Sequence, residues 1–250
     1  KYFGTDGIRG VVEKALTHDL AFRCAASCGY LLKQQNPKAK VIIGSDTRIS
    51  RGLLTGAMIS GFCYSGVNVI NIGVLPTPAL AFLIDRMGAD AGVMISASHN
   101  PYEYNGIKII TEEGRDAALE VTDELEKIIN TCTVKQMDFR AAKEQGLVID
   151  FKNPFNQFID DILSVLDVDA IRERGPRILF DSMHGSSTYP LLTIFYTARC
   201  TPDAVHGDRD AYFGGMMPAP TESTLVDLSR SVVKEGYDLG IGIDGDGDRL

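Results

Sequence analysis

The sequence predicts an α/β protein made of two successive βα domains, each with a mainly parallel mixed sheet. Short runs of apolar and β-branched residues alternate along the chain with amphipathic stretches of helical length. Strands that follow one another through helices of this length form βαβ units, in which the strands are parallel. The alternation weakens over residues 147–153 and then begins again. We therefore place a domain boundary near residue 150, with domains at residues 1–150 and 151–250.

The first domain is predicted to begin with a helix and to continue through strands and helices in turn. Thr17 is suited to cap the first helix, in which apolar residues recur at the helical period: Leu20, Cys24, Cys28, Leu31 and Leu32. Strands are expected at 40–44 (KVIIG), 68–73, 91–96 (AGVMIS) and 106–110. Further helices are expected at about 53–64, 79–87 and 122–130, the second of them after a break at Pro76-Thr77-Pro78.

The second domain is predicted to repeat this pattern on a smaller scale. Asn153 and Pro154 are suited to the cap and first turn of a helix with apolar residues at Phe155, Phe158, Ile159, Ile162 and Leu166. The run 177–181 (RILFD) is a candidate strand, and a helix over 221–235 is followed by a strand over 238–243 (DLGIGI). The chain ends directly after an acidic cluster, and we expect it to be part of a longer protein.

Composition argues against several classes of function. The chain has 250 residues and a formal net charge of −8, which disfavours a nucleic-acid-binding surface but allows a local pocket for a small anion. Its five cysteines are an odd number without CxxC spacing, so we expect no disulfide framework and a reducing compartment. Cys24 and Cys28 lie on the apolar stripe of the first helix and are expected in the core. The sequence shows neither a leader pattern nor a membrane-length apolar run, so we expect a cytoplasmic location.

Two polar segments directly follow predicted strands, which is where ligands bind in open α/β sheets. In residues 96–101 (SASHNP), Ser98 is expected on a tight turn and exposed to a ligand, although a plain Ser/Asn/Pro turn would have the same sequence. In residues 244–249 (DGDGDR), three carboxylates alternate with glycines, which lets Asp244, Asp246 and Asp248 converge on one hard cation. A solvated acidic turn is the alternative. A calcium EF-hand loop does not fit, because it requires glycine at Arg249 and a later glutamate.

Two further segments combine small residues, hydroxyls and an arginine, as a site that approaches a phosphate closely would require. They are residues 4–10 (GTDGIRG) and 44–50 (GSDTRIS). Each is a weak signal taken separately, and Asp6-Gly7 would also suit a hairpin turn.

Taken together and in this order, these four segments and the NGIK sequence at 105–108 resemble the α-D-phosphohexomutase family. That family includes phosphoglucomutase, phosphomannomutase and phosphoglucosamine mutase. The resemblance runs through essentially the whole chain and implies the first domain and most of the second in a protein of four α/β domains. The sugar-selecting loop and the distal phosphate-binding loop of the family belong to the third and fourth domains. We therefore expect little or no mutase turnover from this chain by itself.

The resemblance also implies roles for individual residues. Ser98 would be the phosphoserine and would bind Mg²⁺ together with the aspartates of the acidic loop, Asp244, Asp246 and Asp248. Lys108 would be a general acid/base near a sugar hydroxyl, although a surface lysine is the alternative. His99 would shape the site, and Arg249 would close the metal loop and help bind substrate. Phosphate contacts would come from Thr5, Arg9 and Arg48, with pairing of Arg48 to Asp46 or support of its loop as the alternative.

The implied reaction transfers phosphate between C1 and C6 of a hexose through a sugar bisphosphate, and a hexose 1,6-bisphosphate would phosphorylate the serine initially. Residues 210–220 (DAYFGGMMPAP) resemble the FGG-x-x-PEP segment of phosphoglucomutase/phosphomannomutases, with Ala219 at the Glu position. The segments GTDGIRG and DTRIS also resemble phosphoglucosamine mutase. We expect a phosphoglucomutase/phosphomannomutase, with phosphoglucosamine mutase as the alternative.

Two other functions remain open. A non-catalytic sugar-phosphate-binding module would not need Ser98, Lys108 and all three aspartates. A phosphatase resembling the haloacid dehalogenases would use an aspartate as its nucleophile and would leave the SASHNP segment without a role. The sequence predicts neither the hexose nor the oligomeric state.

Overall fold

The computed structural model describes residues 1–4, 7–111, 113–131, 140 and 147–250. By their internal contacts these residues form two compact units. The first unit comprises Lys1–Ser45, Ser50–Ala97 and Glu103–Lys152. The second unit comprises Asp46–Ile49, Ser98–Tyr102 and Asn153–Leu250. Two short segments from the first 150 residues thus belong by contact to the second unit.

The first unit contains a six-stranded mixed sheet. Its strands are β1 (Ile8–Val11), β2 (Lys40–Ser45), β3 (Asn68–Val74), β4 (Ala91–Ile95), β5 (Tyr104–Thr111) and β6 (Val148–Asp150). Their order in the sheet is β1-β5-β4-β2-β3-β6. The pairs β2–β3, β2–β4 and β3–β6 are parallel, whereas β5 is antiparallel to both β4 and β1. The predicted α/β class with a mainly parallel mixed sheet is confirmed.

Four helices accompany this sheet in the described residues. They are α1 (His18–Gln35), α2 (Arg51–Tyr64), α3 (Thr77–Arg86) and α4 (Leu119–Ile129). The predicted cap is confirmed, because Thr17 Oγ1 accepts a hydrogen bond of 3.1 Å from the amide of Leu20. Helix α3 begins at Thr77, two residues earlier than predicted. Pro76 is its cap residue and Pro78 lies in its first turn, where a missing N–H disrupts no helical hydrogen bond.

The core of the first unit confirms the predicted packing of the two helical cysteines. Cys24 and Cys28 are buried in one apolar cluster with the strands β2 and β4. Burial raises the pKa of the Cys28 thiol to about 12, and it also raises the pKa of Cys24. Helices α1 and α2 approach closely at Gly61, where an added Cβ would lie 2.7 Å from Ala25 Cβ.

The second unit has a three-stranded parallel sheet with order β8-β7-β9. Its elements are α5 (Phe155–Val165), α6 (Val168–Arg174), β7 (Arg177–Asp181), α7 (Thr188–Thr197), β8 (Thr201–Val205), a 3₁₀ turn (Phe213–Gly215), α8 (Val226–Glu235) and β9 (Leu239–Gly242). Two predicted helix starts were wrong. Asn153 does not cap α5, because it is in the left-handed region (φ 58°) and Pro154 holds the cap position. Helix α8 begins five residues after Thr221, where hydroxyls of Thr221 and Thr224 bind nearby backbone groups and compete with the helix.

Within each unit, segments that carry candidate site residues follow strands that end at the same edge of the sheet. Because β7, β8 and β9 are parallel, the chain after Asp181, Val205 and Gly242 leaves from one edge of the second sheet. In the first unit, Ser45 at the end of β2 pairs with Ile95 at the end of β4. Within the part of the chain that the structure describes, no helix is both long and apolar enough to cross a membrane.

Candidate active site

Ser98 and the acidic loop meet within the second unit. The hydroxyl of Ser98 donates a 2.6 Å hydrogen bond to Oδ2 of Asp244, and it lies 3.5 Å from Oδ1 of Asp248. Nδ1 of His99 is 3.3 Å from the same hydroxyl oxygen. The expectation of an exposed serine was wrong, since Ser98 is fully buried beneath these groups. Its φ of 51° lies in the left-handed region, which costs a non-glycine residue on the order of 1 kcal/mol and marks a position that its surroundings hold in place.

The acidic loop is closed by its own backbone. The amides of Asp248 and Arg249 donate to Oδ1 of Asp244 at 3.0 and 3.1 Å, and the amide of Asp244 donates to the Arg249 carbonyl at 3.2 Å. Gly247, at φ 72°, makes the turn that these bonds require. The Arg249 side chain is half-exposed, and its Nε lies 3.7 Å from Oδ1 of Asp248.

Three aspartates converge at this loop in an arrangement that fits a hard cation. Asp244, Asp246 and Asp248 each offer a carboxylate oxygen within 4.8 Å of the others. Opposite oxygens around Mg²⁺ lie about 4 Å apart, so the set needs only small side-chain adjustments to bind one. Burial, with the Asp246 charge next in size, raises the pKa of Asp244 to about 7. Burial and the neighbouring charge thus disfavour the ionised form of Asp244, and a bound cation would stabilise that form.

Arg48 supports the turn that carries Ser98. Its side chain is fully buried, and its Nε donates to Oδ2 of Asp46 at 2.9 Å. The two terminal nitrogens donate to main-chain carbonyls, one to Ser98 at 2.5 Å and one to Pro101 at 2.7 Å. These contacts agree with the alternative in which Arg48 pairs with Asp46 and supports its loop. A contact between Arg48 and a phosphate stays a prediction.

The other predicted site residues belong to the first unit. Lys108 lies on β5 and is only 5% exposed, so the alternative of a surface lysine is wrong. Arg9 lies on β1 opposite Gly106, which places the side chains of Arg9 and Lys108 on one face of the sheet. A Cβ at position 106 would overlap the carbonyl oxygen of Ser96 and lie 3.2 Å from Cγ of Arg9, so the neighbouring backbone requires glycine there. Thr5 lies outside the described residues.

Comparison with known proteins accounts for both units. Residues 1–135 match the family model described as phosphoglucomutase/phosphomannomutase, alpha/beta/alpha domain I, and residues 156–250 match domain II of the same family. The chain belongs to the phosphoglucomutase/phosphomannomutase family. The domain limits at residue 150 stay a prediction, since the compact units interleave and the family models leave 136–155 unmatched.

Relatives of this family member include the phosphoglucosamine mutases of Alkaliphilus oremlandii and Clostridioides difficile. They are 40% and 35% identical over the whole of this chain, which covers 55% and 54% of their lengths. A phosphoglucomutase/phosphomannomutase family protein from Burkholderia thailandensis has the same fold at a TM-score of 0.84 and 24% identity, over 100% of this chain and 53% of that one. Paramecium parafusin, a phosphoglucomutase, matches at 0.81 and 22%, over 99% of this chain and 52% of that one. The chain thus spans about half the length of the relatives it matches.

A second supporting loop of this family member, at residues 182–187, was not predicted from the sequence. Ser186 donates to the Gly245 carbonyl through both its amide (3.0 Å) and its hydroxyl (3.2 Å). Gly185 lies so close that a Cβ there would be 2.8 Å from Cα of Gly245. The loop is also bound to His206, directly after β8, whose carbonyl accepts hydrogen bonds from the His184 amide (2.9 Å) and the Ser182 hydroxyl (3.0 Å). A strand end followed by His-Gly-Ser-Ser was the available signal, because it repeats the strand-then-small-residue pattern of the two recognised segments.

Proposed function

We propose that this chain supplies the phosphoserine and the metal-binding half of a phosphohexomutase, which moves phosphate between C1 and C6 of a hexose. The observation that carries the proposal is the 2.6 Å hydrogen bond between Ser98 Oγ and Asp244, one of three aspartates within 4.8 Å of one another. Family membership and the names of the relatives support the same reaction class. The alternative of a non-catalytic module leaves this buried serine–carboxylate pair without a use.

Ser98 would carry the phosphoryl group and therefore needs a cation beside it. A phosphoserine bears about −1.5 to −2 charges, and three neighbouring carboxylates would repel it. Asp244, Asp246 and Asp248, with an oxygen of the phosphoserine, are the groups that would hold Mg²⁺. When bound, Mg²⁺ offsets the negative charge of the transferring phosphoryl group. The Arg48 contact to the Ser98 carbonyl keeps the carrier in one position throughout.

The proton would be handled by Lys108. As the sugar hydroxyl oxygen bonds to phosphorus, the bond from phosphorus to Ser98 Oγ breaks and the hydroxyl proton passes to the Lys108 amine. The departing Ser98 oxygen would keep its negative charge, which the cation held by the aspartates would offset. In the second half-reaction the other phosphate returns to Ser98, and Lys108 gives a proton back to the departing sugar oxygen. Arg9 would contact the active-site phosphate, and His99, 3.3 Å from Ser98 Oγ, would help to shape the site.

For the substrate, we propose glucosamine phosphate, because the relatives at 40% and 35% identity are named phosphoglucosamine mutases. One observation favours glucose or mannose phosphate instead, namely the FGG-containing segment at residues 210–220. Parallel assays with glucosamine, glucose and mannose 6-phosphates distinguish the two. A higher kcat/KM for glucose or mannose phosphate would contradict the first choice.

The experiment that tests the reaction is phosphopeptide mapping after incubation with Mg²⁺ and glucose 1,6-bisphosphate as the hexose 1,6-bisphosphate activator. We expect phosphate on Ser98, and none there in the Ser98→Ala control. Because the relatives are about twice as long, the same mapping should be run on a chimaera that continues from Leu250 into the Alkaliphilus oremlandii protein. Label on an aspartate would support the phosphatase alternative. Absence of Ser98 label from both proteins would contradict the mutase mechanism.

A further inference from the structure

The turn formed by Phe213–Gly215 lies beside the Ser98–aspartate site, and no role in the proposed reaction has been assigned to it. Phe213 is 1% exposed, although its neighbour Tyr212 is largely exposed. We propose that Phe213 is a positioning residue, whose ring sets the separation between the Ser98 turn and the acidic loop. This inference rests on the proposed function, because that function requires Ser98 and the aspartates to share one cation.

The first contact of the Phe213 ring is with Arg48. The guanidinium carbon lies 4.9 Å from the ring centroid, within the range of a cation–π interaction. The same guanidinium donates to the Ser98 carbonyl at 2.5 Å. If the Phe213 ring moved, the rigid, planar guanidinium of Arg48 would move with it and would displace the Ser98 turn.

The second contact is with Gly245, which lies between the ligands Asp244 and Asp246. A Cβ at position 245 would be 3.1 Å from Cε1 and 3.2 Å from Cζ of Phe213, so the backbone of the acidic loop lies directly against the ring. Pro218, five residues after Phe213, accepts a 3.3 Å hydrogen bond from the Gly245 amide. Both ends of the Phe213–Pro218 segment thus contact one residue of the acidic loop.

The conformation of Phe213 is held against strain. Its φ of 54° is in the left-handed region, where a bulky side chain is uncommon. Asp210 stabilises the turn, since its carboxylate accepts hydrogen bonds from the amides of Tyr212 (3.0 Å) and Gly214 (2.9 Å) on either side of Phe213. A Cβ at position 214 would lie 2.8 Å from Nε2 of His184, so glycine is needed beside the aromatic residue. Strain maintained by several contacts is typical of a position whose geometry matters to function.

The test compares Phe213→Leu with a matched control, Phe180→Leu, in the 250-residue chain. Phe180 is also fully buried in the second unit, but it lies on β7 and packs against Phe195. We expect Phe213→Leu to weaken Mn²⁺ and Mg²⁺ affinity about 10–100-fold, the range typical of residues that orient metal ligands, and Phe180→Leu to leave it nearly unchanged. Thermal unfolding of the cation-free proteins checks that the two variants lose similar stability. Equal changes in affinity for the two variants would overturn the proposal.

A double-mutant cycle tests the contact itself, and its Gly245→Ala arm alone tests the proposal if Phe213→Leu does not fold. Gly245→Ala adds one carbon against the ring and should also weaken cation binding. Adding Phe213→Leu to Gly245→Ala should cause less further loss than it causes in the original chain, because the smaller side chain makes room for the methyl group. Additive losses, or an unchanged affinity in Gly245→Ala, would contradict the proposal. If the original chain binds no divalent cation, the proposed function fails as well. If it binds one and Phe213→Leu binds it equally well, only this inference fails.

Discussion

At the scale of single residues, Arg48 shows how one buried side chain can hold a reactive turn. Its nitrogens bind Asp46 and the carbonyls of Ser98 and Pro101, and its flat face meets Phe213. Lysine retains the charge and has three donors, but all three lie on one nitrogen and cannot reach partners spaced along the planar fork of arginine. The left-handed Ser98 would then lose the carbonyl contact that helps to maintain it.

We therefore expect Arg48→Lys to destabilise the chain by about 2–4 kcal/mol, the usual cost of leaving buried polar partners unsatisfied. The free energy of unfolding from urea titration provides the measurement. The control is Arg174→Lys, since Arg174 is largely exposed in its salt bridge to Asp238 and such pairs contribute about 0–1 kcal/mol. Equal effects of the two substitutions would show that the contacts of Arg48 do not matter.

Asp244 makes the behaviour of the site depend on pH. The pKa is raised from 3.8 to about 7 by burial and by Asp246, so the cation-free folded chain keeps a proton that the unfolded chain releases. Without a cation, the free energy of unfolding should consequently fall as the pH rises from 3.8 to about 7.

Mg²⁺ must displace the same proton from Asp244, so the affinity for Mg²⁺ should rise with pH and level off above about pH 7. Calorimetric Mg²⁺ titrations between about pH 5.5 and about pH 8.5 measure this. An affinity independent of pH would contradict the prediction. In the cation-free chain, Asp246→Asn should move the pH dependence of stability to lower pH, because the Asp246 charge helps to raise the pKa of Asp244.

At the scale of elements, two glycines of α2 are expected to respond in opposite ways to alanine. At Gly61 a methyl group would be 2.7 Å from Ala25 Cβ and would overlap the Phe22 carbonyl on α1, whereas at Gly56 it would meet no atom within 4 Å. Overpacking should make Gly61→Ala less stable by about 1–3 kcal/mol or more. Higher helix propensity should make Gly56→Ala more stable by about 0.5–1 kcal/mol. Thermal and urea unfolding measure both. Stabilisation by Gly61→Ala would show that the two helices do not meet closely there.

The same scale shows which elements a sequence can predict. Helix α1 was predicted with its cap because its apolar residues follow the helical period, and β2 and β4 because strands buried on both faces are continuously apolar. Strand β8 was missed because its sequence, TPDAV, contains a proline, which is tolerated here because β8 lies at the edge of its sheet. Strand β1 was missed because residues 4–10, with their glycines, were interpreted as a segment that approaches a phosphate. The structure pairs Ile8–Val11 with β5.

For the candidate site, local motifs could be recognised but their partners could not. Ser98 and the three aspartates stand in short segments with distinctive composition. The Phe213 contact to Arg48 joins positions more than 160 residues apart, and no period or propensity reports such a contact. The burial of these residues also could not be predicted from the sequence, since a serine on a turn and a lysine on a short strand would both be expected at the surface. The structure buries Ser98 and Lys108 because tertiary hydrogen bonds and sheet packing enclose them.

At the scale of the whole molecule, the two compact units are connected by more than one covalent link. Asp46–Ile49 and Ser98–Tyr102 belong to the second unit by contact but follow β2 and β4 of the first unit along the chain. A division at one position near residue 150 could not anticipate this, because it assumes that each domain is continuous in sequence. We therefore expect opening of the first unit around β2 and β4 to disturb the segments that carry Ser98 and Arg48.

Buried thiols allow this coupling to be measured. Cys24 and Cys28 report on the first unit and Cys200 on the second, and all three are buried, with pKa values raised by burial. A thiol reagent near neutral pH should therefore modify them only when the surrounding unit opens. Because a bound cation stabilises the state that binds it, Mg²⁺ should slow the labelling of Cys200. Mg²⁺ should also slow the labelling of Cys24 and Cys28, because Asp46–Ile49 and Ser98–Tyr102 connect the two units along the chain. Mass spectrometry of labelled peptides over time measures the rate at each cysteine. The control is Asp246→Asn, in which Mg²⁺ should have much less effect on all three cysteines. If Mg²⁺ slowed Cys200 alone, the two units would open independently despite their interleaved chain.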